Sequence, residues 1–280
     1  MLFKKKTKLL LILSTLWAST PSFAQDKSQE APLLLIGASF ANASMPYFDN
    51  LQSPLGGIAI NSGRYLSLGN ALIRERRLSG HLINEGQAGA TTFDRLTCFP
   101  GPTCVGPGWE GYEKQLTKAL SRVKTAQGDY AAEYIVIIRG NDCNHPDAFG
   151  IPMAETSECS IEQMNQYTDT FISVAKRALA AGVIPIFSSP PKYENIDWET
   201  LRQRFNWPWI VSKENYELFA EIRLNRLQQE VPEALFLDIW RGFTPMDDGL
   251  HPDRKTMQRA AKRIAKAIKK HRQEQSNQAL

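Results

Sequence analysis

Two runs leave this chain little choice of local structure: Leu33-Leu34-Leu35-Ile36 and Tyr134-Ile135-Val136-Ile137-Ile138. Neither alternates with polar residues, so neither suits a sheet with one wet face. Each reads as a strand buried on both faces, the pattern of a central strand in a parallel sheet. Both also stop in a similar way. Gly37-Ala38-Ser39 follows the first, and Arg139-Gly140-Asn141-Asp142 follows the second. In open α/β sheets ligands bind beyond the carboxyl ends of the strands, which makes Ser39 and Asn141 candidate site residues. Taken alone, Ser39 is better read as a helix cap, and Asn141 reads as well as part of a turn.

The remaining elements fit a repeating pattern. Residues 80–84, 183–187 and 234–237 are further short strands, and residues 65–78, 112–125, 161–181, 212–230 and 254–272 have helical spacing. Pro185 suggests an edge position or a bulge for its strand. Strands alternating with helices predict a flavodoxin-like three-layer αβα sandwich, with a five-stranded parallel sheet in the order 2-1-3-4-5. Two segments depart from the alternation. Residues 40–63 form a loop-rich excursion, and residues 190–211 carry Tyr193, Trp198, Phe205, Trp207 and Trp209. This aromatic insertion reads either as a lid or substrate wall, or as packing over the edge of the core. Gly106-Pro107-Gly108-Trp109-Glu110-Gly111 matches a dinucleotide fingerprint, but no strand precedes it and its prolines suit a loop better.

The first 24 residues are of another kind. Lys4, Lys5, Lys6 and Lys8 precede an apolar run from Leu9 to Trp17, and Ser22-Phe23-Ala24 offers small residues for a signal peptidase. This is the plan of a cleaved secretory signal, with an apolar run too short to span a bilayer. Residues 25–280 are then a single domain, periplasmic or secreted, with no transmembrane anchor. Removing the leader takes away four lysines and no acid, leaving 29 basic residues against 29 acidic ones. That balance gives no support for nucleic-acid binding. The basic residues of the tail helix surround a repeated Ala/Ile face and read as its solvated side.

Cys98, Cys104, Cys143 and Cys159 all fall in the exported part, where an even count favours disulfides. Pairing Cys98 with Cys104 and Cys143 with Cys159 would staple one loop each. A zinc site using His145 is the rival reading, although its spacing matches no common zinc pattern.

Two more stretches carry chemistry. Residues 84–92 form a strand end entering a turn with Gly86 and Gly89, where a ligand can approach a backbone N–H. In Asp248-Gly249-Leu250-His251-Pro252 the proline keeps His251 out of helical geometry and opens the last helix. Asp248, three residues earlier, can reach one ring nitrogen. A structural capping pair is the alternative.

Together, Gly37-Ala38-Ser39, the 84–92 stretch with Gly89, Gly140-Asn141-Asp142 and Asp248-Gly249-Leu250-His251 resemble, in order and spacing, the four blocks of the SGNH hydrolases, or GDSL esterases and lipases. The resemblance runs from Leu33 to about Ile268. It implies Ser39 as nucleophile, His251 as general base and Asp248 as the group orienting the imidazole. The oxyanion hole would comprise the N–H groups of Ser39 and Gly89 and the side-chain amide of Asn141. No cofactor or metal is implied. The acid of the Gly-Asp-Ser signature is replaced by Ala38, which bears on the positioning of the serine and on substrate range.

The expected activity is cleavage of carboxylic esters, of small-molecule, glycan or lipid type, through an acyl-serine. An O-acetyl esterase acting on carbohydrate is a variant of this reading, and a non-catalytic carbohydrate or lipid binder is the alternative from another class. The exported protein is expected to begin at Gln25, which N-terminal sequencing of secreted or periplasmic protein checks.

Overall fold

The computed structural model describes residues 31–41, 51–52, 59–60, 66–78, 81–97, 105–143, 158–205 and 210–278. At its centre is a sheet of β1 (Leu33–Ile36), β2 (Leu82–Asn84), β3 (Tyr134–Ile137), β4 (Ile184–Ser188) and β5 (Leu235–Leu237). Every pairing is parallel and the order is β2-β1-β3-β4-β5, as the alternation predicts.

Side-chain alternation along the apolar strands builds two cores. Leu34, Ile36, Ile135 and Ile137 face α2 (Tyr112–Arg122), α3 (Ile161–Ala180) and α5 (Lys213–Glu230), where Leu116, Phe171, Val174 and Leu227 are buried with them. Leu33, Leu35, Val136 and Ile138 face the other way. They pack on α1 (Leu68–Ile73) and α6 (Arg254–Gln278) through Leu68, Leu72, Met257 and Ile264. An uninterrupted apolar run is thus satisfied on both faces, which is why these strands need no polar alternation. The lysines of α6 stay on its exposed side.

Three expectations are corrected. Pro185 is not on an edge strand, since β4 pairs with β3 on one side and β5 on the other. The N–H of Ile184 donates to Glu133 O on the β3 side, so residue 185 faces β5, whose pairing begins only at Ile186. The proline therefore removes no ladder bond. The first helix is shorter than residues 65–78: Ser67 caps it, accepting from Asn70 N, and it ends at Ile73, which is 45% exposed. After Ile73 comes the charged run Arg74-Glu75-Arg76-Arg77, which offers no apolar face to bury, and Leu78 returns to the core only beyond it. Residues 105–111 are not simply a loop, because Val105–Trp109 pairs antiparallel with Arg95–Thr97. In a two-stranded ribbon every strand is an edge, which tolerates Pro107. A second small pair joins Leu51–Gln52 to Ala59–Ile60.

Cys143 and Cys159 form a disulfide, with Cα atoms 5.3 Å apart. It anchors the start of α3, where Ser160 and Gln163 make a reciprocal capping box. The leader, the pairing of Cys98 with Cys104, and His145 lie outside the described residues. Replacing both Cys143 and Cys159 by serine should lower unfolding free energy by about 3 kcal/mol, because the bridge closes a loop of 16 residues. Urea denaturation of the oxidised wild type and the double variant measures this.

Candidate active site

The carboxyl end of β1 is held by three separate contacts before it turns. Gly37 N donates to the buried Oε1 of Gln115 at 2.9 Å, and Gly37 O accepts from Gln87 N at 3.0 Å. A Cβ on Gly37 would lie 2.8 Å from Ile138 O, and its φ of +144° suits glycine, so β1 and β3 approach here as no other residue allows. The chain then turns through Ala38–Ala41, closed by Ala41 N to Ala38 O at 3.0 Å. Ser39 lies half-buried on this turn. Ala38, standing where the signature has an acid, is 3% exposed in the apolar core with Ala90. A methyl group suits that environment, whereas a carboxylate would have to be desolvated there.

The second and third blocks are stitched to each other. Asn84 bridges two loops, donating to Ala41 O at 2.6 Å and accepting from Gly86 N at 2.9 Å. Ala90 O accepts from both the backbone N–H of Asn141 (3.0 Å) and its side-chain amide (3.1 Å). One amide hydrogen of Asn141 is thereby fixed and the other remains for a ligand. Thr92 N and Thr92 Oγ1 both donate to Asp142 Oδ1, at 2.7 and 3.1 Å. Ser39, Asn141 and Leu250 line one cleft, walled by Pro190, Trp198 and Trp240. Gly89 sits next to Ala90 in the turn, with φ +83°, and is not among the residues lining this cleft.

Asp248 and His251 form a buried pair, 7% and 4% exposed. Asp248 Oδ2 lies 2.6 Å from His251 Nδ1, while Oδ1 accepts from the N–H groups of Leu250 and His251, each at 2.9 Å. Burial pushes this carboxyl up, but the imidazole beside it and the two amides outweigh that, and the net shift is downward. The carboxylate is therefore held ionised against the ring. The ring of Phe40, the residue after Ser39, meets the imidazole edge-on at 5.8 Å, and Trp240 packs on Phe40 at 5.4 Å. His251 is thus confined beside the Ser39 turn.

The aromatic insertion takes part in this arrangement. Tyr193, Trp198 and Tyr216 form a packed trio with ring centroids 4.9 to 5.7 Å apart, and Trp198 also faces the cleft. Packing and wall are therefore the same object. Asp197 N, just before α4 (Trp198–Phe205), donates to Gly249 O at 2.9 Å. Gly249 has φ +80°, and a Cβ there would collide with Asp197 O, so glycine is required where the insertion meets the His251 loop. Trp207, Trp209 and the side chain of Phe205 lie outside the described residues.

Three residues here escaped the reading of the sequence. Gln115 and Tyr112, whose hydroxyl donates to Ile138 O at 2.6 Å, are inward-facing polar groups on a helix, visible only as breaks in an apolar stripe. Arg139, which lines the cleft, carries a plainer signal: a cation directly after five apolar strand residues.

No protein-family model and no curated protein matches the sequence. Solved structures do. A variant of an acetyl xylan esterase from Geobacillus stearothermophilus is 13% identical, with 86% of this chain and 95% of that one covered at a TM-score of 0.50. A candidate arylesterase from Agrobacterium tumefaciens is 16% identical, covering 85% and 99% at 0.51. A GDSL-like lipase from Bacteroides thetaiotaomicron is 12% identical, covering 86% and 89% at 0.48. The chain has the SGNH hydrolase fold.

Asp142 supplies a pH test of the rim. Burial, only partly offset by Thr92 and by the charges of Arg139 and Arg223, pushes its carboxyl from 3.8 up to about 6. The folded state thus prefers the protonated acid, and this contribution to stability is full below the unfolded value and lost as pH rises past about 6. Asp142→Asn keeps an acceptor for Thr92 without the charge. From about pH 4 to about pH 7 the wild type should lose up to about 3 kcal/mol relative to this variant, read from urea unfolding across pH.

Proposed function

We propose that the protein is an exported carboxylic-ester hydrolase working through an acyl-serine on Ser39. The reading is carried by the buried Asp248–His251 pair, with Nδ1 and Oδ2 2.6 Å apart, seated against the ring that follows Ser39 at the rim of a parallel sheet. A serine hydroxyl is a weak nucleophile at neutral pH and needs a base with a defined tautomer. Asp248 accepts the Nδ1 proton, which keeps Nε2 basic. His251 Nε2 then takes the proton of Ser39 as Oγ attacks the ester carbonyl. The negative oxygen of the tetrahedral intermediate is met by the N–H groups of Ser39 and Gly89 and by the remaining amide hydrogen of Asn141. His251 returns the proton to the leaving alcohol, and water activated by the same imidazole releases the acid.

Export is supported by the leader-like first 24 residues and by the Cys143–Cys159 bridge, a bond that persists in oxidising compartments. Among the described residues no helix is long and apolar enough to cross a membrane. The tryptophans in the cleft wall favour one variant, an O-acetyl esterase acting on carbohydrate, since indole faces pack well on sugar rings. The acetyl xylan esterase among the structural neighbours is in keeping with this variant.

Hydrolysis of 4-nitrophenyl acetate and its longer homologues tests the proposal. Ser39→Ala and His251→Ala should each lower kcat by about 10⁴-fold or more, and Asn141→Ala by about 10²–10³-fold with a smaller change in KM. A fluorophosphonate should label Ser39 in peptide mapping. Equal turnover by wild type and Ser39→Ala would leave the non-catalytic binder as the better reading.

A further inference from the structure

Arg139 is the one charged side chain among the described residues lining the cleft. One residue, Ile138, separates it from the end of β3, and it stands two residues before Asn141. Its guanidinium carbon lies 4.6 Å from the ring centre of Tyr216 and 5.0 Å from that of Phe219. Stacking of this kind fixes the plane of the guanidinium but uses none of its N–H donors. Its Nε and Nη1 are buried, and no acceptor meets them among the described residues.

Among the described residues, the surroundings do not balance this charge. Arg223, 5% exposed, reaches the same Phe219 ring at 5.9 Å and that of Phe171 at 5.2 Å, and its one hydrogen bond among the described residues is a long 3.5 Å contact to Ser188 O. Burial, with the nearby charge of Arg139, holds Arg223 down at about 9. The acid of this group is Asp142, whose Oδ1 is occupied by Thr92 and whose Oδ2 meets neither guanidinium in a hydrogen bond. Among the described residues, two cations therefore share one acid beside a cleft whose walls are largely apolar. An excess positive charge with unmet donors is costly to desolvate, and a ligand that brings acceptors removes that cost.

We infer that Arg139 is a specificity residue that binds a carboxylate carried by the substrate, on either the acyl or the alcohol side of the scissile ester. The inference rests on the proposed role of Ser39, because the same cleft holds both residues. A carboxylate matches the planar donors of a guanidinium, and such charge-assisted bonds are stronger than neutral ones. The apolar walls would take the rest of a small ester, with the anion setting its direction relative to Ser39.

The test compares matched esters. 4-Nitrophenyl hemisuccinate against 4-nitrophenyl acetate places the charge on the acyl side, and 3-acetoxybenzoate against 3-acetoxybenzamide places it on the alcohol side. For at least one pair, wild-type kcat/KM should favour the carboxylate about tenfold or more, which is about 1.4 kcal/mol, mainly through KM. Arg139→Gln should bring that ratio to about one or below, and Arg139→Lys, keeping the charge without the fork, should fall between. A wild-type ratio at or below one for both pairs, or a preference that survives in Arg139→Gln, would overturn the inference while leaving the esterase reading intact. Thermal unfolding with succinate or benzoate gives a readout without turnover. If no ester is cleaved yet the anion stabilises the wild type and not Arg139→Gln, the anion site stands and the esterase reading falls. If no ester is cleaved and neither anion stabilises the wild type, both fall.

Discussion

Pairing of β1 with a parallel strand on each side is the constraint from which the rest of the molecule follows. Because β2 and β3 both run alongside it in the same direction, the segments leaving all three emerge on one rim. A turn bearing Ser39, a turn bearing Gly89 and a turn bearing Asn141 are therefore neighbours, although about a hundred positions separate the first from the last. The sheet can keep β1 in the middle only because both of its faces are apolar. Leu34 and Ile36 serve one core, and Leu33 and Leu35 the other.

Holding those turns in place is a separate task, done by polar groups with little water around them. Gln115, fully buried on α2, accepts from the first residue beyond β1 and donates to Glu110 O. Ala90 O takes two bonds from Asn141, and Asp142 takes two from Thr92. Each loop is thus tied to the next, and a shift in one would leave buried donors unpaired in another. The Asp248 loop is braced from the other side, by Asp197 on the insertion and by Met246 N donating to His251 O at 2.7 Å. Rigid loops on a rigid sheet are what a preorganised site requires.

The same rim carries an electrostatic imbalance that the fold does not need for its own sake. Arg139 and Arg223 sit on aromatic faces, and among the described residues one buried acid, Asp142, feels the charge of both. Stacking accommodates guanidinium groups without meeting their donors. That distinguishes this corner from the surface ion pairs of the molecule, such as Arg226 with Asp169 and Glu230, where each cation has its anion.

Much of this could be read from the residues alone, because burial on two faces leaves a direct mark in sequence. The unbroken runs at 33–36 and 134–138, the helices between them and the short blocks around Ser39, Asn141 and His251 all follow from periodicity, turn chemistry and spacing. Two kinds of fact did not. Where Pro185 lies depended on how far β5 extends beside β4, a property of two strands and not of one. That Trp198 both packs a core and walls a cleft, that Gln115 holds Gly37, and that Arg139 meets rings instead of a carboxylate, depended on contacts between residues far apart in the chain. The sequence by itself determined which segments become strands and helices and which chemical groups they end in, since local propensity and hydrophobic period act within a few residues. Only the tertiary structure decided which of those groups meet and which charges are left unmatched, because partners, distances and exclusion from water exist only once the sheet has closed.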